Sequence, residues 1–128
     1  MGIRIGLGLA DFPFSSSRDF RDWVNLCEDS DIDSLWQTDR LISETPNMEP
    51  LTLMAALAGH TTRIKFGMNV VVLPFRDPLI LAKECATIDY LSDGRLLPAF
   101  GVGGKTAPEW KATGRKYWHR GRVADEML

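Results

Sequence analysis

Short apolar runs typical of buried strands recur along the chain at a nearly constant interval. They begin at Ile3, Asp33, Ile64 and Arg95, about 30 residues apart. Each interval contains a segment in which apolar residues repeat with the 3.6-residue period of a helix. The pattern therefore predicts four successive strand–helix units. Strands joined through intervening helices pair in parallel, which predicts an α/β fold.

The predicted strands span residues 3–9, 33–38, 64–72 and 95–102. The third is rich in β-branched residues, which favour strands. Pro98 interrupts the fourth and has no N–H to donate to a ladder, so we expect a bulge or distorted pairing there.

Three helices are predicted from residues that commonly begin and end helices. A side-chain acceptor caps the first free N–H groups, proline suits the first turn, and glycine favours the end. The predicted limits are Ser17 as the N-cap of the first helix, Glu49-Pro50 to Gly59 for the second, and Asp77-Pro78 to Asp93-Gly94 for the third. Residues 120–128 have the pattern of a further amphipathic helix that begins but has no closing signal.

Two sheet architectures are compatible with this order. A doubly wound sheet normally carries G-x-G-x-x-G after its first strand, whereas here Gly6 and Gly8 are followed by Asp11 at the third position. A (β/α)₈ barrel needs eight units and typically ~250 residues. We therefore expect residues 1–128 to form a single partial domain, the N-terminal half, (β/α)₄, of a TIM barrel with parallel strands, in a truncated chain. Because a half barrel leaves strand edges unpaired, we also expect a homo-oligomer.

Composition excludes several classes of function. The 128 residues are 45% hydrophobic and carry a net charge of −2, which indicates a soluble globular protein with no basic surface for nucleic acid. The longest apolar run, residues 70–75, is too short to span a membrane. The N-terminus lacks a secretory signal, so a cytoplasmic location is expected. Cys27 and Cys85 are widely separated and no ligand cluster is present, so no metal is expected.

In TIM barrels the chemistry lies at the carboxyl ends of the strands. Asp39 and Arg40 follow the second strand, and they are either a surface ion pair or residues of a site. Residues 41–48 form a loop that could act as a lid. Asn69 is polar within an apolar strand, so it needs a partner or lies where the strand ends. Glycines at 101, 103 and 104 allow a flat ligand to approach the backbone. The basic cluster at residues 111–122, flanked by Glu109, is interpreted as a solvated loop. The residues alone thus predict an apolar, glycine-lined pocket suited to a cofactor.

Several segments are recognisable as those of a known family. They are GMNVVVLPFRDP at 67–78, TIDYLSDGRL at 87–96, GVGG at 101–104, ATG at 112–114 and RGR at 120–122. The sequence closely resembles the front half of luciferase-like monooxygenases, the bacterial-luciferase-type flavin-dependent barrel enzymes.

The resemblance implies a barrel that binds reduced FMN or, in one branch, the deazaflavin coenzyme, and a small-molecule substrate. The cofactor would carry the redox chemistry, and the protein would position it and exclude water. By position, Asn69, Val70 and Val71 would lie against the isoalloxazine ring, and Gly101 and Gly103 would leave room for it. Asp39 and Arg40 would lie at the edge of the cofactor or the substrate. The family's cofactor phosphate is held by the second half of the barrel, so residues 1–128 alone should bind flavin weakly.

Two positions depart from the family pattern. Deazaflavin dehydrogenases usually have a histidine where this chain has Arg40, and some members have an acidic residue where Lys105 and Thr106 stand. The main hypothesis is a flavin-dependent oxidoreductase or monooxygenase that activates oxygen. The alternatives are a deazaflavin-dependent hydride-transfer oxidoreductase and a non-catalytic half barrel that only self-associates.

Overall fold

Strands and helices alternate along the chain, as predicted. The computed structural model describes residues 2–128. The elements are β1 (Gly6–Leu9), α1 (Ser17–Glu28), β2 (Ser34–Gln37), α2 (Pro50–His60), β3 (Lys65–Met68), β4 (Val71–Val72), α3 (Pro78–Leu91), β5 (Leu96–Leu97), β6 (Phe100–Gly101), α4 (Glu109–Thr113) and α5 (Arg120–Met127), with 3₁₀ turns at Leu73–Phe75 and Tyr117–His119. Across residues 2–128, none of the helices combines the length and apolar character required to cross a bilayer.

The main sheet has four parallel strands in the order β1-β2-β3-β5. Each strand lies beside the preceding one, with Leu35 opposite Leu7, Phe66 opposite Leu35, and Leu96 opposite Phe66. A doubly wound sheet reverses its strand order near the middle, whereas this order advances in one direction, as in a barrel wall. The predicted (β/α)₄ half barrel is confirmed.

The third and fourth predicted strands are each divided in two. The third ends at Met68, the Asn69–Val70 peptide is cis, and β4 then pairs with β6 in a separate two-stranded parallel sheet. Pro98 separates β5 from β6, so the predicted distortion is confirmed, because proline cannot donate to the ladder. The prediction of one continuous strand over residues 64–72 was wrong.

Helix ends follow the predicted signals to within a few residues, and α3 ends at Leu91, just before the predicted Asp93-Gly94. The N-cap of α1 is Ser16 rather than Ser17, since Ser16 Oγ accepts the N–H of Asp19 at 3.1 Å. Glu49 and Asp77 cap α2 and α3 as predicted. Helix α2 extends through His60, one residue beyond the predicted end.

The two faces of the main sheet are packed differently. The core lies between the helices and one face, where strand residues meet helix residues: Leu35, Phe66, Met68 and Leu96 pack with Val24, Leu51, Met54, Leu81 and Ile88. On the other face, the Trp36 indole lies over Gly67, where a Cβ would come within 2.8 Å of the ring. Its Nε1–H donates to Ser34 Oγ at 3.0 Å. Glycine at 67 is therefore required for Trp36 to fill this face.

Glu28, the last residue of α1, fixes the turn that leads into β3. Its carboxylate accepts backbone N–H groups from Thr62, Arg63 and Ile64 at 2.7, 2.7 and 2.9 Å, and the Thr62 hydroxyl at 2.9 Å. Burial raises the pKa of Glu28, but these hydrogen bonds outweigh burial and lower the pKa to about 2. The carboxylate thus joins the end of α1 to the turn between α2 and β3.

We predict that Glu28→Gln lowers the free energy of unfolding by about 1–2 kcal/mol at pH 7, because the amide NH₂ then faces a backbone N–H. The folded-state pKa is depressed, so the stabilising contribution is present above the ordinary pKa of 4.5 and is lost as the pH falls through about 2. Urea denaturation across this range should show the two proteins converging in acid. Glu126→Gln, at a carboxylate that is 68% exposed, is the control and should change little. A pH-independent difference would contradict the prediction.

Candidate functional site

A cleft of about 380 Å³ opens at the carboxyl ends of the strands, which we call the strand-end cleft. Its volume lies within the usual range for small-molecule sites. The lining comes from the segments that follow β2, β3 and β6: Thr38, Asp39, Arg40, Asn69, Val70, Val72, Phe75, Gly103, Gly104, Thr106, Ala107, Pro108 and Glu109. Parallel strands end at the same edge, so segments distant in sequence meet here.

Five of the seven predicted site residues line the strand-end cleft: Asp39, Arg40, Asn69, Val70 and Gly103. Asn69 lies where β3 ends, as expected for a polar residue there, and its N–H donates to Gln37 O at 2.7 Å. Gly103 has a φ of +78°, a conformation that favours glycine. The roles of these residues toward a cofactor stay predictions.

The other two predicted residues, Val71 and Gly101, lie next to residues of the cleft but do not line it. Val71 is fully buried in the core. Gly101 pairs with Val72, and a Cβ on it would lie 2.5 Å from Val70 Cγ2. The absence of a side chain at Gly101 therefore makes room for the side chain of Val70.

Asp39 is buried beside the cleft and does not form a surface ion pair with Arg40. Its side chain is only 1% exposed. Oδ1 accepts Arg76 Nη2 at 2.7 Å, and Oδ2 accepts the N–H of Val72 at 3.0 Å. Arg40 is exposed at the cleft. The ion-pair interpretation was wrong because the partner of Asp39 lies 37 residues further along the chain.

Arg76 joins Asp39 to the start of α2. Its Nη1 donates to Glu49 Oε1 at 2.6 Å, while Glu49 Oε2 accepts the N–H of Thr52 at 2.7 Å as the helix cap. The guanidinium is 14% exposed. Arg76 is not among the predicted site residues, and the signal that could have found it is a cation between an apolar run and the helix cap Asp77.

The pKa values of the three charged groups in this network shift for different reasons. Burial raises the pKa of Asp39 above its usual range, even though the N–H of Val72 and the Arg76 guanidinium oppose that shift. Burial also raises the pKa of Glu49, but hydrogen bonds from Thr52 and Arg76 outweigh it, so the pKa is lowered. Burial lowers the pKa of Arg76, yet the two carboxylates raise it further, so the guanidinium stays charged. Within residues 2–128, no three His, Cys, Asp or Glu side chains form a group that could hold a metal ion.

Glu109 is buried at the cleft, whereas the basic side chains that follow it, Lys111, Arg115, Lys116 and Arg122, are exposed as predicted. Glu109 is 3% exposed and its Oε1 accepts the N–H of Ile42 at 3.3 Å. Its neighbour Trp110 packs against Phe75 with ring centroids 4.5 Å apart and donates from Nε1 to Gly104 O at 2.7 Å. This packing draws the start of α4 against the cleft, and no local pattern among the surrounding basic residues signals it.

Residues 41–48, which we call the rim loop, connect β2 to α2 without regular structure, as predicted. Thr45 Oγ1 donates to Asp11 Oδ1 at 2.9 Å, and Asn47 Nδ2 donates to Ala10 O at 3.0 Å. With the bond from Ile42 to Glu109, the rim loop is attached to the segments after β1 and after β6.

We predict that Arg76→Met lowers the free energy of unfolding by about 3–5 kcal/mol, because it leaves the Asp39 carboxylate buried without its cation. The double variant Asp39→Asn/Arg76→Met should recover more than half of that loss, since the neutral amide still accepts the N–H of Val72. Chemical denaturation of both variants and the wild type measures the difference. A single variant as stable as the wild type would show that the pair contributes little.

Comparison with known proteins agrees with this geometry. A family model described as luciferase-like monooxygenase matches residues 6–128. The limonene 1,2-monooxygenase of Rhodococcus erythropolis is 42% identical over 66 residues, which are 51% of this chain and 16% of that protein. The F420-dependent glucose-6-phosphate dehydrogenase of Amycolatopsis mediterranei is 31% identical over 106 residues, covering 78% of this chain and 31% of that protein.

A solved structure shows the same fold. The oxygenating constituent of 3,6-diketocamphane monooxygenase from Pseudomonas putida, solved with FMN, has a TM-score of 0.79 and 24% identity over 99% of this chain and 38% of that chain. The chain spans less than a third of the length of the limonene monooxygenase and of the F420-dependent dehydrogenase. The resemblance drawn from residues 67–78 and 87–96 is confirmed, and the chain belongs to the luciferase-like monooxygenase family.

Proposed function

We propose that the protein is a flavin-dependent monooxygenase that uses reduced FMN, bound at the strand-end cleft, to activate oxygen and oxidise a small organic substrate. The observation that carries the proposal is this cleft, at the strand ends of a barrel wall, in a chain of the luciferase-like monooxygenase family. Relatives named as monooxygenases, including the limonene enzyme, support it.

The residues of the strand-end cleft fit a planar ring system. Val70, Val72 and Phe75 supply apolar lining, and the backbone at Gly103 and Gly104 carries no side chain that would block close approach. Thr38, Thr106 and Arg40 add polar groups. The lining is therefore mixed rather than mainly apolar, and Asp39, Asn69 and Glu109 add further polar side chains, which suits a flat, partly polar molecule.

Each part of the chain has a distinct task in this proposal. Reduced FMN, when bound, supplies the electrons for oxygen chemistry. Val70 and Val72 hold apolar surface against the ring, and the rim loop limits access of water from the side of β2. Arg40 places a positive charge at the cleft, which favours a negatively charged reduced flavin over the neutral oxidised form.

The second candidate is hydride transfer with the deazaflavin coenzyme. It is supported by the F420-dependent dehydrogenase of Amycolatopsis mediterranei, which matches 78% of this chain. Arg40, where the dehydrogenase branch usually has histidine, favours the flavin monooxygenase. The third candidate, a non-catalytic half barrel, predicts no cofactor binding at all.

We predict that the whole protein binds FMN, and binds reduced FMN more tightly than oxidised FMN. Arg40→Ala should weaken binding of reduced FMN about tenfold and of oxidised FMN about twofold, because only the reduced ring is anionic. Arg18→Ala, at an exposed arginine of α1, is the matched control and should leave both affinities unchanged. Flavin absorbance and fluorescence titrations under anaerobic and aerobic conditions measure the constants.

The same titrations decide among the three candidates. Binding of deazaflavin but not FMN would favour hydride transfer, and binding of neither would favour the non-catalytic half barrel. Equal effects of Arg40→Ala on both redox forms would remove Arg40 from the cofactor edge.

We also propose that the protein self-associates in the cytoplasm. Helix α3 exposes large apolar side chains, with Leu79 at 77%, Ile80 at 57%, Tyr90 at 83% and Leu91 at 58%, and Ile80 lines an apolar groove between α2 and α3. Cys27 and Cys85 are free thiols, as is usual in a reducing compartment. Sedimentation velocity should show a dimer or larger species that Ile80→Glu shifts toward monomer. A monomeric wild type at micromolar concentration would contradict this.

A further inference from the structure

Glu109 carries a carboxylate oxygen that has no hydrogen-bond partner among residues 2–128. Oε1 accepts the N–H of Ile42, whereas Oε2 is buried and unpartnered, in a residue that is 3% exposed. A buried carboxylate oxygen without a donor is strongly unfavourable, so such an atom calls for an explanation, for example a bound water, ion or ligand.

The position of Glu109 indicates which molecule supplies the donor. Glu109 lines the strand-end cleft, as does Asp39, but both oxygens of Asp39 are already paired with Arg76 and with the N–H of Val72. Of these two carboxylates, only that of Glu109 has an oxygen, Oε2, without a hydrogen-bond donor among residues 2–128. The apolar lining from Val70 and Phe75 suits a ligand with a hydrophobic body.

We infer that Glu109 is a substrate-selecting residue, whose Oε2 accepts a hydrogen bond from an N–H or O–H group on a small, largely apolar substrate. The inference rests on the proposed function, because it assigns part of the cofactor cleft to the substrate. No proton transfer is assigned to Glu109, only binding and selection.

The two oxygens of Glu109 connect substrate binding to the rim loop. Oε1 accepts the N–H of Ile42, which belongs to that loop, and Oε2 is buried without a partner among residues 2–128. A donor on the substrate would give Oε2 the hydrogen-bond partner that it lacks and hold the carboxylate in the orientation that the rim loop already uses. Selection for a donor and attachment of the rim loop thus share one side chain.

A pair of matched probes tests the inference on the whole protein loaded with FMN. Benzamide has two N–H donors on an apolar ring, and N,N-dimethylbenzamide has none. Calorimetric titration should show benzamide binding about tenfold more tightly or more, as expected for a hydrogen bond to a charged acceptor. In Glu109→Gln the amide oxygen still accepts the N–H of Ile42, but the former Oε2 becomes a donor, so the two probes should bind within about twofold of each other.

Glu44→Gln is the control, since Glu44 is an exposed carboxylate of the same rim loop, and it should keep the wild-type ratio. Equal binding of the two probes by the wild type, binding of neither, or an unchanged ratio in Glu109→Gln overturns the inference. The wild-type comparison needs no variant, so it stands even if Glu109→Gln folds poorly. FMN affinity, measured in the same samples, tests the proposed function separately: a wild type that does not bind FMN refutes that function, whatever the probe ratio.

Discussion

The edge of the sheet that carries the cleft is organised around one buried cation. Arg76 draws the carboxylate after β2 and the cap of α2 onto one guanidinium, and the same Asp39 carboxylate accepts the N–H of Val72 in β4. The ends of two strands and the start of one helix are thereby fixed relative to each other. Buried ion pairs contribute variably to net stability, yet each member strongly requires its partner. The arrangement consequently specifies one geometry for the cleft, because any displacement would leave a buried charge unpaired.

The breaks in the third and fourth strands open the space that this network borders. Had β3 continued past Met68, its ladder would have closed the edge where Asn69 and Val70 now line the cleft. Pro98 interrupts the neighbouring strand in the same layer, so β4 and β6 pair with each other instead. Two local interruptions of a regular ladder thus produce a concave surface at the end of a closely packed sheet.

Features set by local chemistry were predictable from the sequence, and features set by distant packing were not. The 30-residue interval, the caps Glu49 and Asp77, and the distortion at Pro98 all follow from neighbouring residues. The single-residue error at Ser16 reflects two adjacent serines that are equally able to cap. The break after Met68 was signalled only by the polar Asn69, because the other residues of 64–72 are apolar enough for an unbroken strand.

The site shows the same limit more clearly. The position of Asp39 at a strand end was predictable, but its pairing with Arg76 depends on how a 3₁₀ turn packs 37 residues later. Burial of Glu109 depends on the packing of Trp110 against Phe75, in a segment whose composition resembles a solvated surface. Charge and polarity locate candidate residues in a sequence, whereas desolvation is decided by contacts that only the folded chain provides.

The β4–β6 pair forms a sheet separate from the main one, connected to it through the chain at Asn69–Val70 and Pro98–Ala99 and through the N–H of Val72, which donates to Asp39. The ladder of the main sheet therefore does not include the backbone of β4 or β6. Residues of β4 and β6 can therefore differ between related proteins without changing the strand pairing of the main sheet. This is a structural basis for one architecture serving chemically different substrates.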